Sequence, residues 1–339
     1  MRAESWLLTC LSLAWLVFVA AMLTLGCARL PDLLANAELS DASERVPRGV
    51  SIATSTAFAP VRSPTIEAAG QSTAVASSPF APPAQHVQPT CTTSGAMLAL
   101  PSLVPIPRAS EEWQLVFSDE FDGPALDSSK WTPEFWWGAT HGHAELQYYT
   151  AENLEFSNGL LRLKAIRQDV NGYHFTSGMI SSHGKFNQQY GYFETRARVP
   201  KGKGLWPAIW LLPDLRRGVT WPPEIDVMEI LGYETNVVHL TYHYLNSSGK
   251  HQQDSARCTA ADFSQGFHKY AVEWTPTSIV WFVDDIAYAR TRTTPPAVPM
   301  YLIINLAVGD WAGTPENDTP FPSYFDIDYV HVFNRVAGE

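Results

Sequence analysis

An all-β fold, a sandwich of two curved antiparallel sheets, is predicted for the chain after residue 110 by three observations. The 339-residue sequence holds 12% aromatic residues together with 25 Pro and 21 Gly, a balance typical of turn-rich β structure. No long helical periodicity is present. The pairs Asn158-Gly159, Asn171-Gly172 and Asp284-Asp285, which tolerate a positive φ, separate short runs rich in β-branched and aromatic residues. The runs are, in order, WQLVF, LQYYT, LLRLKAI, GYFETRARV, VVHLTYHYL, KYAVEW, SIVWFVDD, YLIINLAV and IDYVHVF.

Two segments precede this predicted domain. Residues 6–28 carry no charge, so we assign residues 1–28 to export, either as a signal peptide, as a lipoprotein signal cleaved at Cys27, or as an uncleaved membrane anchor. Residues 29–110 are dominated by Ala, Ser, Thr and Pro without a sustained apolar period, which predicts a disordered linker. Residues 111–339 then form one folded domain that is exported, either extracellular or tethered to the cell surface.

The net charge limits the classes of binding partner, and the cysteines bear on the compartment. The formal net charge of -11 excludes nucleic acid and anionic lipid as partners of the domain, so contact with a membrane is expected only through the N-terminal anchor. A neutral ligand fits better, and we expect a monomer. Cys91 and Cys258 are either a disulfide in an oxidising compartment or unpaired, because one of them falls in the predicted linker.

The most informative stretch is WPPEIDVMEILG, residues 221–232. Glu224 and Asp226 alternate with Ile225 and Val227, so both acids point to one face of a strand. Glu229 breaks the alternation, because five positions separate it from Glu224. A β-bulge near Val227 or Met228 would restore parity and bring all three carboxylates to one face.

These acids are either a solvated outer face of an edge strand or a catalytic set. The stretch contains no Lys or Arg, and tryptophans lie close by in sequence. Two carboxyl groups on one concave face can divide the work of glycoside cleavage, since one attacks or stabilises the anomeric carbon while the other protonates the departing oxygen. Aromatic rings supply platforms for the apolar faces of sugars.

With these residues in view, the sequence resembles glycoside hydrolase family 16. Glu224 to Glu229 is similar to its bulged ExDxxE signature, and further segments match in order: SDEFDG (118–123), AELQYYT (144–150), YGYFETRARVP (190–200), GLWPAIWLLP (204–213), FHKYAVEWTP (267–276), YLIINLAVGDWAG and IDYVHVF. The resemblance implies a β-jelly-roll with a concave cleft and a retaining double displacement. It implies that Glu224 is the nucleophile, that Glu229 is the general acid/base, and that Asp226 orients Glu224.

The segments GLWPAIW and ELQYY resemble the laminarinases of that family, which implies an endo-β-1,3-glucanase. Departures at Ala144, Met179, Pro223 and Asp310 leave the acids intact but bear on subsite preference. The alternatives are another polysaccharide such as agarose or mixed-linkage glucan, transglycosylation, and non-catalytic glucan binding.

The predicted substrate-binding residues are four tryptophans and one histidine. Trp206 and Trp210 are four apart on one predicted strand, hence on one face, where they flank a sugar subsite or pack in the core. Trp221 is a third platform, and Trp311 either closes the cleft or covers a small satellite core. The strand pattern alone favours a structural role for His243, whereas the resemblance places this residue near the acid/base Glu229. His141 and His143 are interpreted as loop residues.

No cofactor is required for the chemistry. The resemblance implies a structural calcium ion on the convex side, held by backbone oxygens of Glu120 and Gly159 and by the carboxylate of Asp328. Oxygen ligands from separated strands suit calcium.

Overall fold

A computed structural model describes residues 88–100, 113–142 and 144–336. Three short 3-10 helices occur in it, at Ala151–Asn153, Leu215–Arg217 and Asp310–Ala312. The strands are β1 (Thr90–Ser94), β2 (Met97–Ala99), β3 (Trp113–Asp119), β4 (Gln147–Tyr149), β5 (Leu154–Ser157), β6 (Leu160–Val170), β7 (Tyr173–Ser177), β8 (Met179–Ser181), β9 (Gly191–Arg198), β10 (Leu205–Pro213), β11 (Glu224–Glu229), β12 (Val237–Leu245), β13 (His251–Thr259), β14 (His268–Trp274), β15 (Ile279–Val283), β16 (Ile286–Thr291), β17 (Met300–Val308) and β18 (Ser323–Arg335).

The strands form two sheets, as predicted for an all-β jelly-roll. One has seven strands in the order β1-β13-β12-β11-β10-β17-β8. The other has eleven, in the order β2-β16-β15-β14-β9-β18-β6-β7-β4, with β3 on β18 and β5 on β6. The named pairs are antiparallel except β4 with β7, which is parallel. Consecutive strands pair in both sheets, and pairs such as β10 with β17 and β9 with β18 join parts of the chain that are distant in sequence.

The hydrophobic core lies between the two sheets. Along β17 the side chains alternate, and Leu302, Ile304 and Leu306 join the main core cluster. Asn305 and Ala307 point the other way and line a cleft on the outer face of the seven-stranded sheet. This period of two gives one strand a packed face and a ligand-facing side.

The linker predicted over residues 29–110 is wrong for residues 90–99. Strand β1 adds to the edge of the seven-stranded sheet against β13, and β2 adds to the edge of the other sheet against β16. Cys91 lies opposite Cys258 and forms a disulfide with it. Between the two strands, the Ala96 amide donates to Asp254 Oδ1 at 2.7 Å. Free sheet edges give the backbone of this short segment hydrogen-bond partners that it could not find within itself.

The other predictions for the N-terminal part fall on residues outside the described ones. They are the export segment at residues 1–28 and most of the linker. In the described part of the chain, no helix has the length and apolar composition needed to cross a bilayer.

The predicted turn pairs lie between strands with the expected backbone. Asn158 and Asn171 have φ of 54° and 51°, and the glycine after each is also positive. Asp284 and Asp285 have φ of 49° and 67° and connect β15 to β16. These short turns set the register of the hairpins β5–β6, β6–β7 and β15–β16.

Candidate active site

The predicted β-bulge is present at Val227. On β10, Ile209 pairs with Met228 and Trp210 pairs with Asp226, which leaves Val227 without a partner on that strand. The neighbouring strand β12 shows the same shift between Asp226 and Glu229. Val227 and Met228 therefore both enter the core, and the parity change returns Glu229 to the side of the other two acids.

All three acids line one cleft of about 420 Å³ on the outer face of the seven-stranded sheet. This volume is within the usual range for a ligand-binding site. Strands β10, β11, β12, β13 and β17 supply its floor and loops supply its walls. The lining residues are Phe135, His141, Glu145, Trp206, Ala208, Trp210, Glu224, Asp226, Glu229, Thr241, His243, Gln253, Asn305, Ala307 and Trp311.

Each of the two outer acids accepts a hydrogen bond from a tryptophan. The Trp221 indole N–H donates to Glu224 Oε2 at 3.0 Å, and the Trp206 indole N–H donates to Glu229 Oε1 at 3.1 Å. An indole can donate but not accept, so each bond favours the ionised carboxylate. The two tryptophans therefore orient the acids as well as offering ring surface.

His243 holds the middle acid. Its Nε2 lies 3.2 Å from Asp226 Oδ2 and 3.7 Å from Glu224 Oε1, while its Nδ1 lies 2.9 Å from His251 Nε2. Burial alone would lower the pKa of His243, but the hydrogen bond and charge of Asp226, with the charge of Glu224, raise it. A protonated His243 offsets part of the like-charge repulsion on this wall of the cleft.

The site raises the proton affinities of both outer acids. Burial, followed by the charge of Asp226, raises the pKa of Glu224 to about 7, against an opposing effect of His243. Burial, followed by the charges of Asp226 and Glu224, raises the pKa of Glu229 well above its ordinary value. Both acids therefore hold a proton at a higher pH than a solvent-exposed glutamate does.

The remaining predicted aromatic residues take different places. Trp210 satisfies both interpretations, because it is buried and donates to Asn305 Oδ1 at 2.8 Å, yet it also lines the cleft floor. Trp311 lines the cleft, is 43% exposed and meets Trp206 edge-on with ring centroids 5.6 Å apart. Trp221 is 44% exposed and lies at the rim, outside the lining set.

His141, interpreted from sequence as an ordinary loop residue, lines the cleft. Its Nδ1 lies 3.1 Å from Glu145 Oε1, and its ring centroid is 5.7 Å from that of Trp210. Burial would lower the pKa of His141, but the hydrogen bond and charge of Glu145 raise it. Glu145 could have indicated this role from the sequence, because it stands beside an aromatic run and a carboxylate requires a partner when it is buried. His143 lies outside the described residues.

Two sets of residues bear on metal binding. Ligand atoms of Glu224, Asp226 and His243 lie within 4.8 Å of one another, the one group of this kind among the described side chains. This closeness follows from the arrangement of the cleft acids, and we assign no metal to them.

The predicted calcium ligands fit only in part. The carboxylate of Asp328 accepts a hydrogen bond from Arg196, which already balances its charge. Oε1 of Glu120 lies 2.5 Å from His331 Nε2, and the predicted ligand at Glu120 is its backbone oxygen. Calcium binding therefore stays a prediction.

A jelly-roll with clustered carboxylates and tryptophans in an open cleft is the architecture of a polysaccharide-cleaving protein. Residues 141–331 match the sequence model described as "Glycosyl hydrolases family 16". The chain belongs to this family.

Several of the similar proteins are named as glucanases or glycanases. A beta-glucanase from Rhodothermus marinus is 41% identical over 249 residues, which cover 66% of this chain and 86% of that protein. The endo-1,3-1,4-beta-glycanase EglC of Rhizobium meliloti is 39% identical, and the match covers 65% of this chain but 52% of EglC, so the chain spans about half the length of that relative. A solved laminarinase catalytic domain from Thermotoga petrophila has a TM-score of 0.61 at 35% identity, covering 67% of this chain and all of that one.

Proposed function

We propose that the chain is a retaining endo-glycoside hydrolase that cleaves β-1,3-glucan of the laminarin type. One observation carries the proposal. The bulge at Val227 returns Glu229 to the cleft wall that holds Glu224, where burial and the charge of Asp226 raise the pKa of both carboxyl groups. A double displacement requires two carboxyl groups on one cleft wall, one ionised as the nucleophile and one protonated as the acid.

In the proposed first step, the carboxylate of Glu224 attacks the anomeric carbon of the bound sugar. Protonated Glu229 gives its proton to the glycosidic oxygen as the bond to carbon breaks, so the leaving chain departs as a neutral alcohol. In the second step, ionised Glu229 takes a proton from water, whose oxygen attacks the same carbon and releases Glu224. Two inversions give net retention. The charge of His243, which lies beside Asp226, favours ionised Glu224, because it opposes the rise in the pKa of Glu224.

The similar proteins support β-glucan as the substrate class. The Rhodothermus protein is named a beta-glucanase and the Thermotoga domain an endo-1,3-beta-glucanase. EglC is named an endo-1,3-1,4-beta-glycanase, which makes mixed-linkage glucan the second candidate. We expect a panel of laminarin, mixed-linkage glucan, xyloglucan, agarose and carrageenan to give the highest kcat/KM for laminarin.

The mechanism is tested with Glu224→Gln and Glu229→Gln on laminarin. Loss of the nucleophile should abolish turnover. Loss of the general acid should lower kcat by about 10² to 10⁴, and by less on an aryl glucoside, whose leaving group needs little protonation. Asp169→Asn, at an exposed carboxylate paired with His174, is the matched control. Unchanged turnover in Glu224→Gln would overturn the mechanism.

Product analysis separates the related functions. A retaining hydrolase releases the β-anomer first, which proton NMR detects before mutarotation. Chains longer than the substrate would identify a transglycosylase, which uses the same intermediate with a sugar acceptor. Binding to laminarin without any reducing-end release would identify a glucan-binding protein.

We further propose that the protein is exported and monomeric. Residues 6–28 support export, and so does the disulfide between Cys91 and Cys258, because disulfides persist in oxidising compartments. Detection of the chain outside the cytoplasm, together with its sedimentation coefficient, tests both statements.

A further inference from the structure

Two neighbouring tryptophans extend the aromatic surface of the cleft outward. Phe135 lines the cleft, and its ring centroid is 6.1 Å from that of Trp210 on the floor. Trp137 stacks on Phe135 at 4.5 Å with an interplanar angle of 7°. Trp136 follows, 5.4 Å from Trp137 at 89°. We call Trp136 and Trp137 the aromatic ledge. It lies outside the residues that line the cleft and joins them through Phe135.

The ledge is exposed and held in place at the same time. Trp136 is 39% exposed and Trp137 is 37% exposed, which is unusual for two adjacent indoles on a soluble domain. The Trp137 indole N–H donates to the Thr140 carbonyl at 3.0 Å. The polar atom of Trp137 is therefore bonded within its own loop, while part of its ring faces solvent.

Trp136 lies beside a cluster of charged and titratable side chains. The guanidinium carbon of Arg216 lies 5.8 Å from the Trp136 ring centroid. Arg216 Nε is bound to Asp214 Oδ1 at 3.1 Å, and His183 Nε2 reaches the same oxygen at 3.1 Å. Arg216 remains 52% exposed, so some of its five N–H donors face solvent beside the ring. An indole face next to free donors matches a sugar, which has apolar C–H faces and hydroxyl edges.

We propose that the aromatic ledge is a second glucan-binding site, on which sugar rings of the substrate chain stack after they pass Phe135 out of the cleft. The inference rests on the proposed function and extends it to long chains. Rings pack against one another from Trp210 through buried Phe135 and Trp137 to Trp136, which places the exposed ledge next to the cleft and makes the same polysaccharide its occupant. Long glucans therefore bind more tightly than chains that fill the cleft alone.

The test compares Trp136→Ala with wild type on β-1,3-gluco-oligosaccharides of increasing length. For wild type, kcat/KM rises with each added sugar until the sites are full. For the variant it should level off at a shorter length, and KM for laminarin should rise about 2- to 10-fold. Trp136→Tyr, which keeps an aromatic face, should recover part of the loss. Identical length profiles for Trp136→Ala and wild type would overturn the proposal.

A matched control and a binding measurement make the result specific. Phe267 also packs against arginines. The guanidinium carbons of Arg196 and Arg198 lie 4.9 and 5.2 Å from its ring centroid, and both arginines are on β9 of the eleven-stranded sheet. Phe267→Ala should keep the wild-type length profile, and a shortened profile in it would contradict a role for the ledge. In a Glu224→Gln background, Trp136→Ala should weaken binding of laminarin by a similar 2- to 10-fold. If wild type fails to cleave laminarin, the proposed function fails; if it cleaves but the variant binds equally well, only the ledge proposal fails.

Discussion

Replacing Glu224 with Gln should stabilise the protein at neutral and alkaline pH while it removes the nucleophile. The pKa of Glu224 is raised from 4.5 to about 7 by burial and by the charge of Asp226. Between these two values the folded protein holds a proton that the unfolded chain has lost, so stability falls as the pH rises through this window. The difference corresponds to about 3 kcal/mol above pH 7, and it vanishes below about pH 4.5. Gln cannot ionise and escapes this penalty.

The assay is thermal unfolding of wild type and Glu224→Gln across the pH range 4 to 9. A gain of about 3 kcal/mol corresponds to a rise in Tm of roughly 6 to 12 °C for a domain of this size. The gain should be absent near pH 4.5 and complete above pH 7. Glu134→Gln, at an exposed carboxylate in a loop, is the control and should show no such pH-dependent gain. A Tm for Glu224→Gln at or below that of wild type at pH 8 would refute the reasoning that burial and Asp226 hold this proton.

Three further predictions follow from individual contacts. Trp206→Phe removes the N–H that stabilises ionised Glu229, so the pKa of Glu229 should rise further and the alkaline limb of the kcat/KM profile should move to higher pH; an unmoved limb would contradict this contact. Replacing Cys91 and Cys258 by Ser should lower the free energy of unfolding by roughly 2 to 5 kcal/mol, measured by urea denaturation, and an unchanged midpoint would show that the disulfide does not stabilise the fold. If calcium binds near Asp328, EGTA should lower the Tm and added calcium should restore it, whereas equal Tm values would remove calcium from this protein.

The sequence predicted the parts of the fold that repeat a local rule. The nine predicted runs fall on β3, β4, β6, β9, β12, β14, β15, β17 and β18, and the turn pairs at Asn158 and Asn171 lie where φ is positive. Strands β1 and β2 escaped prediction, because they are only five and three residues long and follow a segment dominated by Ala, Ser, Thr and Pro. They form strands because each pairs with the edge of a sheet, because the Ala96 amide between them donates to Asp254, and because Cys91 forms a disulfide with Cys258. None of those partners is near in sequence.

The acids of the site were predictable and their surroundings were not. Glu224, Asp226 and Glu229 stand in one strand, so parity and a single inserted residue were enough to place them on one face. His141 was missed because its partners in the cleft include Trp210, which is distant in the chain. Sequence spacing does not reveal contacts between a loop and a distant strand.

The sequence by itself determined the strand periodicity, the bulge parity and the identity of the three acids, because each depends on residues within a few positions of one another. Tertiary structure decided which tryptophans bind to which acid, how strongly each acid holds its proton, and how far the aromatic surface extends beyond the cleft. These properties depend on burial and on distances between strands that are remote in the chain. Burial and proximity are set by packing of the two sheets, which no local pattern records.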